Sequence, residues 1–243
     1  MRYYLGMNVF RTILLALLFS GAAHAQSLVV LVDTSTEMPM ADVRNGRLLG
    51  GIHRDLAEAL AYRMGRKLET LVLPRKRIGL ALDSGRADMI CLYKPDWLPG
   101  PYLWTQAFFP LAELVLTAHS APAPQSLADL SGRPIGTVLG FEYPDLEQAL
   151  GAGFVREDAP SNLTNLRKLA AGRVQHVATI KYFYDYQLRQ REPIKVHPPL
   201  LVKQYLTRCA VSQKGRVSLA DVDAVLTQLV RDGVIAKILS TYQ

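Results

Sequence analysis

The stretch that decides the fold is residues 50–92, GGIHRDLAEALAYRMGRKLETLVLPRKRIGLALDSGRADMICL. Its apolar residues recur at intervals of three and four over 52–64, which predicts an amphipathic helix. Gly65 follows as the residue that can adopt the left-handed conformation at a helix end. The run 68–73 then predicts a short strand, because Pro74 cannot donate to a ladder and stops it.

A second helix and a second strand complete this unit. The helix is predicted from about Arg77 to Leu82 with Gly85 as its stop, and residues 87–92 are apolar enough for a buried strand. Helices between short apolar strands indicate right-handed crossovers onto a parallel sheet, in which ligands bind at the carboxyl ends of the strands. Those ends are residues 33–37, 74–77 and 93–97.

Three motifs carry a resemblance to a known family. They are G-I-H-R-D-L-A-E-A-L at 51–60, P-x-x-R at 74–77 and L-x-S-G-R-A-D-M-I at 82–90. In combination they resemble the first lobe of the type II periplasmic solute-binding proteins, of the polar amino acid kind known as solute-binding protein family 3. The resemblance extends from about residue 28 to residue 242.

The resemblance implies an α/β protein of two lobes, each a small, mostly parallel sheet flanked by helices. Two antiparallel hinge strands, near residues 111–117 and 204–212, are expected to join them. The first lobe is expected to comprise 26–115 plus 206–243, and the second lobe 116–205. No further catalytic domain is expected.

The first 25 residues are predicted to be a signal peptide. Positive residues precede the apolar run 13–19, and Ala23-His24-Ala25 matches the small-x-small cleavage pattern. Beyond this segment no stretch reaches the roughly 18 to 20 apolar residues of a membrane span. We therefore expect a protein that is exported to the periplasm and whose mature form begins near Gln26. We also expect it to be a monomer.

The distribution of basic residues and the spacing of the histidines argue against nucleic-acid binding and metal binding. The formal net charge is +7, and removing Arg2 and Arg11 with the signal peptide takes it to +5. Apart from Arg75-Lys76-Arg77 the basic residues are scattered, so no nucleic-acid partner is expected. The histidines show no metal-ligand spacing, and neither a nucleophile elbow nor a phosphate loop is visible. We expect no cofactor and no metal.

Cys91 and Cys209 both lie in apolar, strand-like runs. An oxidising compartment permits a disulfide, and two buried thiols are the alternative. By the resemblance, the strand containing Cys209 returns next to the strand containing Cys91, so a bond is conceivable. A direct bond between neighbouring strands is usually strained, and the expectation therefore leans to thiols.

The second half of the chain repeats the first unit. Strand 133–139 leads into Gly140 and then Pro144, so backbone N–H groups at a helix start should point into the cleft. Ser161 is placed to cap a helix that runs to Ala171. Residues 172–180 predict the matching strand, followed by a helix from Tyr182 to Arg191. Residues 219–239 predict closing helices interrupted by Gly233.

Two positions depart from the family pattern. Amino acid binders of this family usually carry an arginine that aligns near Leu98, but no arginine occurs between Arg86 and Arg133. The aspartate that takes the ligand ammonium is replaced in the stretch Thr179-Ile180-Lys181. Together with Arg75 and Arg77, Lys181 suggests a cleft that prefers anions. The alternatives are a solvated turn for the arginines and a helix cap or a pair with Asp185 for Lys181.

The candidate ligand-binding residues follow the carboxyl ends of predicted strands. Aromatic residues among them could stack on a ligand or pack in the loop. No catalytic residue is expected. The candidates are Asp33, Glu37, Arg75, Arg77, Tyr93 and Trp97 from the first lobe, and Gly140, Phe141, Tyr143 and Lys181 from the second.

Three functions are compatible with these residues. The first is a solute-binding protein that captures a small polar solute, anions included, and delivers it to an ABC-type inner-membrane permease. The second is a periplasmic enzyme on the same scaffold, similar to the cyclohexadienyl dehydratases, with Glu142 or Glu37 as acid or base. The third is a ligand sensor that docks on a membrane receptor.

Overall fold

A computed structural model describes residues 26–190 and 194–242, so the predicted signal peptide and its cleavage site lie outside the described residues. The described part is a mixed α/β structure. In chain order its elements are β1 (Ser27–Asp33), β2 (Asp42–Arg44), β3 (Arg47–Gly50), α1 (Ile52–Arg63), β4 (Lys67–Leu73), α2 (Arg75–Asp83), β5 (Met89–Tyr93), β6 (Leu103–Trp104), β7 (Phe109–Thr117), β8 (Pro134–Val138), α3 (Pro144–Leu150), β9 (Val155–Ala159), α4 (Asn162–Ala170), β10 (His176–Ile180), α5 (Lys181–Arg189), β11 (Leu200–Val211), α6 (Leu219–Arg231) and α7 (Val234–Thr241).

The predicted order of helix, strand, helix, strand over 50–92 is confirmed. Gly65 adopts a positive φ of 61° just beyond α1, as its place at the helix end requires. The start of α2 was predicted too late: the helix begins at Arg75, because Pro74 has a φ of −59° and needs no N–H at a helix start. Arg75 and Arg77 are therefore residues of the first helical turn and not of a loop.

The strands form two parallel groups joined by an antiparallel pair. The hydrogen-bonded order is β4-β1-β5-β11-β7-β10-β8-β9, with β6 paired to β11. Strands β4, β1 and β5 are parallel to one another, and so are β10, β8 and β9. The helices cover these two groups, which are the first and the second lobe. The two-lobe architecture expected from the sequence is confirmed.

The two hinge strands are β7 and β11. Residues 200–207 of β11 pair antiparallel with β7, whereas residues 208–211 pair antiparallel with β5 of the first lobe. Strand β11 therefore belongs to both halves of the molecule. The expected lobe boundaries, at 115/116 and 205/206, fall inside β7 and β11 and stay a prediction.

The first lobe gathers both ends of the described chain into one core. Leu60 of α1, Leu226 of α6 and Ile235 of α7 belong to the same buried cluster. Asp88 is fully buried and ties the N-terminal strand to the C-terminal segment: it accepts hydrogen bonds from the Val29 amide at 2.7 Å and from the Arg216 amide at 2.7 Å. The closing helices predicted from the sequence therefore complete the first lobe.

Cys91 and Cys209 form a disulfide bond. They are register partners on β5 and β11, with Cα atoms 3.8 Å apart and a sequence separation of 118. The expectation of two thiols was wrong, whereas the neighbouring positions of the two strands are as the resemblance implied. The bond fixes the end of β11 to the first lobe.

Strand β9 was not predicted, because its sequence, VREDA, carries three charged residues and no apolar run. It lies at the edge of the second lobe, where one side of a strand can face water. Across 26–190 and 194–242, the helices are all too short or too polar to traverse a bilayer.

Candidate ligand-binding site

A cavity of about 100 Å³ lies between the two lobes. Its walls come from the loop after β1, the end of β5, the loop after β8, the starts of α4 and α5, and both hinge strands. The structure brings together six of the ten candidate residues around it. These are Glu37, Arg75, Tyr93, Trp97, Phe141 and Tyr143.

The other four candidates do not line this cavity. Asp33 lies behind the wall and is 1 % exposed. Gly140 backs onto Arg75, so that a Cβ atom there would lie 3.6 Å from the Arg75 Cβ. Arg77 is exposed to solvent on α2. Lys181 lines a separate depression and forms an ion pair with Asp185 at 2.6 Å, the alternative weighed for it from the sequence.

Arg75 is held by several partners at once. Its Nη1 donates to the Tyr93 hydroxyl at 2.5 Å and its Nη2 to the Trp97 carbonyl at 2.8 Å. Its guanidinium also lies 3.8 Å from the Asp33 carboxylate and close to the faces of Tyr93 and Phe141, 4.6 and 5.0 Å from the ring centroids. Because Phe141 belongs to the second lobe, Arg75 contributes to contact across the cleft.

Glu37 also makes a contact across the cleft. It follows β1 in the first lobe, yet its Oε2 accepts a hydrogen bond of 3.0 Å from the Leu163 amide at the start of α4. The cap of this helix is Ser161, as predicted, and its hydroxyl accepts from the Thr164 amide. Burial raises the pKa of Glu37, and the hydrogen bond from Leu163 opposes that change. The amino end of α4 is therefore already supplied with a carboxylate by the chain itself.

Glu113 is a buried glutamate of the cavity wall whose carboxyl group lacks a complete set of hydrogen-bond partners among the described residues. It projects from hinge strand β7 into the cavity, is 4 % exposed, and its Oε2 accepts no hydrogen bond within the described part of the chain. Burial raises the pKa of Glu113 to about 7; the charge of Asp145 adds to the increase and that of Lys94 opposes it. With this pKa, part of the Glu113 population is protonated near neutral pH.

Two aromatic residues of the cavity wall also carry a polar group without a hydrogen-bond partner in the described structure. The Trp97 indole N–H and the Tyr205 hydroxyl are buried and lack hydrogen-bond partners among the described residues. Both side chains line the cavity, and their rings meet edge to face with centroids 5.2 Å apart. Three residues of the cavity wall therefore each carry a buried polar atom without a hydrogen-bond partner in the described part of the chain: an indole N–H, a hydroxyl and a carboxyl oxygen.

Lys94, Asp145 and Lys203 form an ion-pair cluster next to this group. Asp145 at the start of α3 accepts from Lys94 at 2.5 Å and from Lys203 on β11 at 2.6 Å. Burial would raise the pKa of Asp145, but its two ion pairs outweigh that effect and hold the pKa below the usual range. The Lys94 ammonium also lies 5.3 Å from the centroid of Trp97 and 4.8 Å from that of Tyr205. This cluster joins the first lobe, the second lobe and a hinge strand.

Glu113, Lys94 and Tyr205 were missed by sequence reasoning. Glu113 and Tyr205 lie within hinge strands, whereas the candidates predicted from the sequence all follow the carboxyl ends of predicted strands. A signal did exist, since Glu113 interrupts an otherwise apolar run, FPLAELVLT. Lys94 directly follows Tyr93, which was a candidate. Within residues 26–190 and 194–242 no three His, Cys, Asp or Glu side chains are grouped as a metal site would require.

Comparisons with known proteins agree with this geometry at the level of the fold. No protein-family model and no curated protein sequence matches the chain. Among solved structures it is similar to an ancestral arginine-binding protein bound to arginine, with a TM-score of 0.73, 22 % identity, and 90 % of this chain and 99 % of that chain covered.

Two further structures are similar over comparable lengths. One is an ancestral amino acid-binding protein described as a precursor of cyclohexadienyl dehydratase, with a TM-score of 0.71, 18 % identity, and 89 % and 95 % of the two chains covered. The other is an amino acid ABC transporter substrate-binding protein from Streptococcus pneumoniae bound to L-arginine, with a TM-score of 0.70, 17 % identity, and 89 % and 94 % covered. The fold is that of the two-lobe, type II periplasmic solute-binding proteins.

Proposed function

We propose that the protein is a periplasmic solute-binding protein that captures a small polar solute between its two lobes. The observation that carries the proposal is the cavity itself, whose walls come from both lobes and from both hinge strands. A solute bound there would contact both lobes, and so favour the closed arrangement over an open one. Structural neighbours that bind amino acids in the same fold support this function.

The proposal extends to export and to a membrane partner. The N-terminal segment supports secretion to the periplasm with cleavage near Ala25. Delivery to an ABC-type inner-membrane permease is supported by the S. pneumoniae neighbour, which is itself an ABC transporter substrate-binding protein. Binding and release would need no catalytic group.

The charge of the solute is not part of this proposal. The preference for an anion rested on Arg75, Arg77 and Lys181. Arg77 and Lys181 lie outside the cavity, and Arg75 is already held by protein partners. The candidate solutes therefore include amino acids, amines and small carboxylic acids.

A thermal-shift screen of these three solute classes tests the proposal. At about 100 times its dissociation constant a ligand stabilises the folded protein by about 2.7 kcal/mol, which raises the unfolding midpoint measurably. Phe141→Ala should weaken binding of the solute found, because Phe141 lines the cavity, whereas Tyr62→Ala should leave it unchanged, because Tyr62 is exposed on α1 away from the cavity. No stabilising solute in any class, or equal effects of the two variants, would contradict the proposal.

An enzyme on the same scaffold is the second candidate function. The observation that favours it is Glu113, because a buried carboxyl group with a pKa of about 7 is suited to general acid or base catalysis. One neighbour is described as a precursor of cyclohexadienyl dehydratase. Incubating the protein with prephenate or arogenate and following aromatic product separates the two functions: product formation that is lost in Glu113→Gln would establish the enzyme.

A further inference from the structure

The cavity's positively charged features are already paired with protein groups. The Arg75 guanidinium donates to Tyr93 and to the Trp97 carbonyl, and it lies beside the buried Asp33 carboxylate. The amino end of α4 holds the Glu37 carboxylate. A solute carboxylate entering the cavity would compete with Asp33 for the charge of Arg75 and with Glu37 for the start of α4.

The unpaired charge of the cavity is negative. Glu113 Oε2 is buried and lacks a hydrogen-bond partner in the described structure. His53, also in the wall, contributes no positive charge at neutral pH, because burial lowers its pKa to about 4. The Lys94 ammonium, whose charge opposes the raised pKa of Glu113, gives its short hydrogen bond to Asp145 instead.

Aromatic side chains surround the same point. Trp97 and Tyr205 line the cavity with Glu113, and their rings already attract one ammonium group, that of Lys94, at 5.3 and 4.8 Å from the centroids. A carboxylate next to aromatic faces is the combination that binds organic cations, because charge attraction and attraction to the ring faces add. The Tyr205 hydroxyl offers a further acceptor for a solute N–H group.

We propose that Glu113 is the ligand-binding carboxylate of this cavity, and that it pairs with an ammonium or guanidinium group of the solute on the cavity side of Trp97 and Tyr205. This inference rests on the proposed solute-binding function and specifies its solute as an organic cation. The carboxyl group of an amino acid is not required, since Arg75 and the start of α4 already have a protein carboxylate beside them.

Binding of a cation should be linked to proton release. Burial keeps part of the Glu113 population protonated near neutral pH, and a cationic solute binds the ionised form better. The other charged and titratable groups around Glu113 are Lys94 after β5, Tyr143 and Asp145 at the start of α3, and Lys203 and Tyr205 on β11. Affinity should therefore rise with pH up to about 7 and then level off, with protons released to the buffer.

Calorimetric titration with putrescine, agmatine and choline tests the inference, with glutarate as the anionic comparison. At least one of the three cations should bind, and Glu113→Gln should weaken it about tenfold to a hundredfold, because a hydrogen bond to a charged group is lost. Glu58→Gln makes the same chemical change on the exposed face of α1 and should leave the affinity unchanged. Titration in two buffers of different ionisation enthalpy measures proton release in the unaltered protein, so the test stands even if Glu113→Gln does not fold.

Several outcomes would overturn the inference. They are the failure of all three cations to bind, equal affinity in Glu113→Gln, and binding of a cation with no proton release near pH 7. If glutarate or a neutral solute binds instead, the solute-binding function stands and the role of Glu113 falls. If no solute of any class binds, both proposals fall.

Discussion

The cavity wall holds two largely buried charged side chains, Arg75 and Glu113; we call their surroundings the Arg75 end and the Glu113 end, and they satisfy the charge differently. At the Arg75 end, the guanidinium contacts Asp33, Tyr93 and the Trp97 carbonyl. At the Glu113 end, a carboxyl oxygen of Glu113 has no hydrogen-bond partner within the described chain. The charges that line a site are thus a poor guide to the charge that it offers a ligand.

The difference follows from the chemistry of the two side chains. A guanidinium cannot shed its proton inside a protein, so burial requires that its donors be paired. A carboxyl group can become neutral by binding a proton, and burial of Glu113 raises its pKa to about 7. An unpaired Glu113 is therefore tolerated at a cost that depends on pH, whereas an unpaired Arg75 would be costly at every pH.

The largest effect is expected from Arg75→Met. The substitution leaves Asp33, which is 1 % exposed, without its cation and removes the donor to the Tyr93 hydroxyl. Since breaking a buried ion pair from one side is strongly destabilising, the free energy of unfolding at pH 7 should fall by about 4 kcal/mol. Urea denaturation followed by circular dichroism measures it.

Arg77→Met is the matched control, because Arg77 lies in the same helical turn but is exposed. Its effect should stay within about 0.5 kcal/mol. If the two variants are equally stable, Arg75 is not held by its partners in the way described, and the contrast between the two ends of the cavity is lost.

The next effect is a pH dependence at the Glu113 end. In the unfolded chain the pKa of a glutamate is about 4.5, and burial in the folded protein raises the pKa of Glu113 to about 7. Between these values the folded state binds the additional proton, so the contribution of Glu113 to stability is greatest below pH 4.5 and is lost as the pH rises to about 7. The decrease should be on the order of 3 kcal/mol, measured by urea denaturation without added solute.

Glu113→Gln isolates this contribution, because glutamine stays neutral and every other titrating group is retained. The difference in unfolding free energy between the two proteins should change between pH 4.5 and 7 in favour of the glutamine variant. Parallel stability curves over this window would show that Glu113 is ionised normally, and would remove the distinction drawn between the two ends.

The smallest effect is expected at the ion-pair cluster beside Glu113. Asp145→Asn leaves Lys94 largely buried, but Lys94 keeps Glu113, Asp96 and two aromatic faces nearby. The cost should therefore be about 2 kcal/mol, below that of an isolated buried pair. Asp185→Asn, which removes an exposed pair with Lys181, should cost no more than about 0.5 kcal/mol.

Asp145→Asn should also differ in its pH dependence. The pKa of Asp145 is held below its usual range, so the stability that its ion pairs add is present above the unfolded value near 3.8 and is lost as the pH falls below it. This pH range lies below that of Glu113. Stability decreases here as the pH falls, whereas the contribution of Glu113 decreases as the pH rises. A pH profile of Asp145→Asn that matches the unaltered protein below pH 4 would argue against the cluster.

The sequence predicted the fold well where the periodicity of apolar residues is clear. The helix at 52–64 and the strands around it could be predicted because each carries a regular apolar pattern and a glycine or proline at its end. Strand β9 could not, since an edge strand with three charged residues has no such pattern.

The site was harder to predict, because it depends on which groups meet across the cleft. Glu37 was identified from its place after β1, but its contact with the start of α4 spans 126 positions in the sequence. Lys181 was selected by its place after β10, yet a partner four residues further along the same helix holds it outside the cavity. Glu113 and Tyr205 face the cavity from hinge strands, and local pattern does not reveal that direction.

The disulfide bond has a consequence for how the chain can be cut. Cys91 and Cys209 are separated by 118 positions, and the interval contains hinge strand β7, most of β11 and the whole second lobe. The bond closes this interval into a covalent ring attached to the first lobe. A protease that cleaves one peptide bond within 92–208 would leave a single covalent molecule, and its two fragments would separate in a denaturing gel only after a reducing agent is added.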